Sequence, residues 1–135
     1  MIVVDTNILI YLYLPSPQAE QCHELLERDA NWACPAIWRS EFGNTLLLYL
    51  RKKIVASDFA LQAINAAESL IGGNEIESNA AEVISLAMSS GCTFYDCEFA
   101  AAAKSLSTVL VTEDKALLKA FPKDAFSLKN ALASL

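Results

Sequence analysis

At 135 residues the chain is long enough for one domain, residues 1–135, with a full hydrophobic core. Its hydrophobic share of 54% suggests a further surface buried against a partner, as a homodimer or with another chain, and no apolar run approaches the roughly 18 residues of a membrane span. A net charge of −6 and a pI near 4.7 argue against a simple electrostatic nucleic-acid binder, unless several acids are metal ligands and Arg39, Arg51, Lys52 and Lys53 supply a local basic patch.

In chain order, Ile2 to Val4 is a β-branched run that reads as a buried strand ending at Asp5. Asp5 carries no Lys or Arg ahead of it, unlike a secretory signal, so a cytoplasmic location is expected. Asn7 to Leu14 is a short helix stopped by Pro15 and Pro17, and Gln18 to Asp29 is a second, with Ala19, Cys22, Leu25 and Leu26 on one face. Asn31 to Pro35 is a short strand. Ala36 to Lys53 is expected to be the longest helix, closing in a basic end that suits its dipole. Ser57 is read as the cap of a helix running to Ile71 and ended by Gly72 and Gly73. Asn74 to Glu77 is a brief strand or extended turn, and Asn79 to Ser89 a helix broken at Gly91.

Cys92 to Tyr95 is read as a loop, with Asp96 opening the helix Cys97 to Leu106. Thr108 to Val111 is a second buried strand, Asp114 to Ala120 a short helix, Ala125 to Ser127 an edge strand, and Lys129 to Leu135 a frayed terminal helix. Strands alternating with helices predict a parallel sheet covered on both faces.

Four acids stand out. Asp5 closes the first strand, where open α/β sheets place ligands, although Asp is also a favoured helix cap. Glu41 interrupts a helix otherwise dominated by Trp38, Phe42, Leu46, Leu47 and Leu50. A carboxylate among apolar neighbours is costly unless it pairs with a cation, here Arg39, Arg51 or a metal, or faces solvent. Asp96 and Asp114 each begin a helix and read equally as caps or as acids converging on Asp5. Glu98 and Glu113 read as solvent-facing or first-turn charges. Converging acids without His or Cys form an all-oxygen site suited to Mg²⁺ or Mn²⁺ and to phosphodiester hydrolysis with no side-chain nucleophile.

Other chemistries are poorly served. The four cysteines form no CxxC pair, and with His23 alone a zinc site or a Ser-His-Asp mechanism has little to work with. The thiols are expected to be reduced and mostly buried, and His23 to lie at the surface or in packing.

With these positions in hand, the chain resembles the PIN domain, and within it the VapC-type toxins of toxin–antitoxin pairs. The resemblance rests on VVDTN (Val3 to Asn7), SEF (Ser40 to Phe42), YDCEFAAAAK (Tyr95 to Lys104) and VLVTEDKALL (Val109 to Leu118), and covers nearly the whole chain. It implies a three-layer α/β sandwich with a parallel sheet of four or five strands. It further implies Asp5, Glu41, Asp96 and Asp114 as metal-holding, catalytic acids, with Thr6 and Thr112 orienting carboxylates or water from behind. A Mg²⁺- or Mn²⁺-dependent endoribonuclease, often dimeric and blocked by an antitoxin segment near the site, is the implied protein. Arg39 and Lys115 are candidates for phosphate contact, weighed against solvated roles. A dehalogenase-type phosphatase would need an acid where Asn7 stands, and a receiver domain's Asp and Lys have no clear place. The remaining alternatives are a non-catalytic acidic α/β module that binds a basic partner, and a PIN nuclease outside toxin–antitoxin systems.

Overall fold

The computed structural model describes residues 1–135. Five short parallel strands alternate with eight helices: β1 (Ile2–Val4), α1 (Thr6–Tyr13), α2 (Ala19–Arg28), β2 (Trp32–Pro35), α3 (Trp38–Arg51), α4 (Ser57–Ile71), β3 (Glu75–Ile76), α5 (Ala80–Ser90), α6 (Phe94–Ser105), β4 (Leu110–Val111), α7 (Lys115–Ala120), β5 (Ala125–Phe126) and α8 (Leu128–Ser134). The sheet order is β3-β2-β1-β4-β5, and every pairing is parallel. A parallel sheet must be covered on both faces, so β1, β2 and β4 are buried throughout. This is the α/β sandwich expected of the sequence.

The strand order reverses once. From β1 the chain steps outward through β2 and β3, then returns to lay β4 on the other side of β1. The gap between β1 and β4 is therefore the topological switch point, and its carboxyl-end mouth is where a doubly wound sheet leaves a crevice.

Packing follows side-chain size. Ala100 to Ala103 are all buried, so α6 lies close across β1, β2 and β4, with α5 behind it. Trp32, Trp38, Phe42, Ile8, Leu9 and Leu25 fill the core beside α1 to α4. Gly91 ends α5 at φ +75°, a left-handed conformation costly for any residue with a Cβ.

Several sequence boundaries move. The longest helix is α4, not α3, because α3 starts at Trp38 and ends at Arg51 inside the expected range. Ser57 is the first residue of α4, and Ala56 holds the cap position without a side-chain bond. Helix α6 begins at Phe94, two residues before Asp96, because Thr93 caps it by accepting the Asp96 N–H at 3.1 Å. The terminal helix is not frayed. Ser127 caps α8, Leu128 and Ala131 are buried, and the Arg28 guanidinium donates to the carbonyls of Leu132 and Leu135.

Candidate active site

Four helices, α1, α3, α6 and α7, turn their N-termini toward the carboxyl edge of the sheet, because each follows a strand there or leads back into one. Each carries one of the four acids at its cap or in its first turn: Asp5, Glu41, Asp96 and Asp114. Helix N-termini favour negative charge, which is how one domain can hold four acids at one edge.

Asp5 is the innermost, 8% exposed at the end of β1. Its Oδ1 accepts the Thr6 N–H at 2.7 Å, and its Oδ2 accepts the Thr112 hydroxyl at 2.7 Å and, weakly, the Asn7 amide at 3.4 Å. Thr112 is fully buried at the end of β4 and also accepts the Asp114 N–H at 3.0 Å, so one hydroxyl spans the switch point. Thr6, equally buried, donates to Glu41 Oε1 at 2.7 Å and so couples α1 to α3. Both threonine hydroxyls thus donate to carboxylates.

Burial pushes the Asp5 carboxyl up to about 6, with Glu41 and Asp96 adding repulsion and the Thr112 and Thr6 bonds opposing. Glu41 is raised by burial and by Asp96 and Glu98, against its bond from Thr6. Asp96 is raised by burial and by Asp114, eased by Thr93. These repulsions link all four acids into one electrostatic cluster. No Lys or Arg pairs with any of them: Arg39 pairs with Glu68 at 3.6 Å and Lys104 with Asp124 at 2.8 Å. The ion pair weighed for Glu41 with Arg39 or Arg51 is not formed.

The capping alternatives resolve unevenly. Asp114 does cap α7, its Oδ1 accepting the Leu117 N–H at 2.9 Å, and Asp5 caps α1. Asp96 caps nothing, since Thr93 does that work, and its carboxylate is free for other partners. Elsewhere, Cys22, Cys34 and Cys97 are buried free thiols, Cys92 is half-buried, and His23 is exposed.

The donor set is all carboxylate oxygen and lacks a counter-charge, which is the chemistry a hard divalent cation relieves. The spacing is open, however: no three acidic, His or Cys side chains are drawn around one point closely enough to hold an ion. The sequence did not single out Thr93 as the cap of α6, nor the bridge made by Asn7. Asn7 accepts the Glu113 N–H at 3.4 Å while facing Asp5. A Thr three residues before an acid was a legible capping signal for the first; nothing local marks the second.

A doubly wound parallel sheet with clustered acids at its switch point defines the class. The chain belongs to the PIN domain family, whose profile matches residues 2–122. It is 24% identical over 124 residues to Ribonuclease VapC3 of Pyrobaculum aerophilum, covering 90% of this chain and 95% of that one. It also resembles the crystal structure of PAE2754 from Pyrobaculum aerophilum, with a TM-score of 0.73 and 25% identity over 98% of this chain and 86% of that one. The structure of FitAcB from Neisseria gonorrhoeae shares the fold at a TM-score of 0.71 and 20% identity, covering 96% and 99% of the two chains.

Proposed function

We propose that the protein is a Mg²⁺- or Mn²⁺-dependent endoribonuclease, the toxin of a toxin–antitoxin pair. The observation that carries this reading is the cluster of Asp5, Glu41, Asp96 and Asp114 at the switch point, mutually repelling and without a basic partner. The name of the VapC3 relative supports RNA as substrate.

Asp5, Glu41, Asp96 and Asp114 would hold the cation. When bound, it supplies Lewis-acid polarisation of a phosphoryl oxygen and a more acidic water. The chain's own part is orientation. Thr112 fixes Asp5 Oδ2, and Thr6 fixes both Asp5 Oδ1, through its N–H, and Glu41 Oε1, through its hydroxyl. The buried floor of Ile2, Val3, Val4, Leu110 and Val111 keeps water from beneath the acids, and the low dielectric there strengthens whatever charge contacts they make.

An apolar groove of about 590 Å³ between α3 and α4 is lined by Arg39, Ser40, Leu47, Leu61 and Ile64 among others. It supports an antitoxin segment laid along it. Ile84, Met88, Phe94 and Tyr95 are exposed apolar side chains on α5 and the start of α6, with Met88 82% exposed. Their exposure supports homodimerisation. No helix is long and apolar enough to cross a membrane.

The test is incubation of partner-free protein with total cellular RNA in Mg²⁺ and in Mn²⁺, beside chelator and Asp96→Asn controls. Discrete cleavage lost in both controls is expected. Absence of cleavage together with absence of ion binding by calorimetry would refute the reading and favour a binding module.

A further inference from the structure

Glu113 sits between two residues given roles above, yet neither the cap of α7 nor the cluster uses its carboxylate. Instead its Oε1 accepts the N–H of Leu128, the first residue of α8, at 2.9 Å, while its own N–H is given to Asn7. The family match ends at residue 122, so the C-terminal helix that Glu113 grips lies outside it. That helix is itself anchored: Leu128 is fully buried, and Arg28 of α2 donates to the carbonyls at its end.

We infer that Glu113 is a positioning residue, through which the C-terminal helix holds the Thr112–Asp114 loop against the β1–α1 turn. The loop has four fastenings of different strength. At its start the Thr112 N–H donates to the Phe126 carbonyl of β5 at 2.9 Å. The Thr112 hydroxyl reaches Asp5 at 2.7 Å, and the Asn7 bridge to Glu113 is long at 3.4 Å. Between the β-ladder and the cap of α7, the Glu113–Leu128 bond is the only fastening of the loop directed toward α8. A charge-assisted bond to a backbone N–H is worth more than a neutral one, and it fixes the residue whose two neighbours set the distance between Asp5 and Asp114. Its consequence for cleavage rests on the nuclease reading above; its consequence for the loop does not.

The test compares Glu113→Ala with Glu113→Gln. Both remove the charge, but only Gln keeps an oxygen for the Leu128 N–H. In Glu113→Ala, hydrogen exchange at the amides of Glu113 and Asp114 should accelerate about tenfold or more. Affinity for Mn²⁺ by calorimetry and kcat for RNA cleavage should each fall about 10- to 100-fold, as for other residues that orient ligands, with KM little changed. Glu113→Gln, with a weaker neutral bond in the same place, should recover the larger part of all three. Unchanged exchange in Glu113→Ala, or equal losses in both variants, would overturn the inference. Should the wild-type protein neither cleave RNA nor bind Mn²⁺, the nuclease reading fails alone, and the exchange measurement still decides the role of Glu113.

Discussion

Replacing Asp5 by Asn should stabilise the protein and abolish cleavage in the same step. The Asp5 carboxyl ionises near 6 in the folded chain against an ordinary 3.8, chiefly because it is buried. A carboxyl whose folded pKa lies above its unfolded value contributes stability that is full below about 3.8 and lost as pH rises through about 6. At about 1.4 kcal/mol per unit, holding it ionised at neutral pH costs roughly 3 kcal/mol. Asn has the shape of the protonated acid. Its carbonyl keeps the Thr6 N–H, while its NH2 forces the Thr112 hydroxyl to find another acceptor, a penalty of about 1 kcal/mol. The net gain of about 2 kcal/mol corresponds to roughly 6 °C in Tm for a chain this long. Thermal unfolding of both proteins in chelator at pH 7.5 measures it. Added Mn²⁺ should then raise the wild-type protein alone and narrow the gap, since only a chain that binds the ion is stabilised by it. An Asp5→Asn variant that melts at or below the wild-type temperature in chelator, or that still cuts RNA, would refute the reasoning.

The same sign governs the pH dependence of the wild-type protein without metal. Asp5, Glu41 and Asp96 are all raised, so Tm should climb as pH falls from about 7 to about 5; a Tm that stays level or drops over that range in chelator would contradict it. Thr112→Val keeps the buried shape but strips Asp5 of a donor and the Asp114 N–H of its acceptor, and should lower stability by about 2–3 kcal/mol in urea titration. Gly91→Ala forces a Cβ into the left-handed turn between α5 and α6 and should cost about 1 kcal/mol. Because a Cβ at Gly91 meets no other atom within 4 Å, RNA cleavage at a temperature where the variant is folded should match wild type.

The fold was legible where burial writes a simple pattern. Ile2 to Val4 announces a buried strand, and all three residues lie buried in the sheet. Boundaries were less so, because caps compete. Thr93 and Asp96 are both good capping residues three apart, and only the geometry shows that Thr93 is used while the acid is spared. The terminal helix looked frayed because Leu128, Ala131 and the Arg28 contact act across 100 residues of sequence, beyond any local signal. Of the site, each acid was visible in its own context, but their mutual repulsion and their lack of cationic partners were not, since these depend on sheet order. The open spacing of the four carboxylates was likewise invisible to a reading of spacing along the chain.

The hydroxyl of Thr112 reaches an acid 107 positions earlier in the chain. Strand β1 cannot be completed on its β4 side until Leu110 and Val111 have been synthesised. Such long-range pairing folds slowly, since the intervening loop must close before its contacts repay the entropy. A nascent chain truncated anywhere before Asp114 has no assembled acid edge.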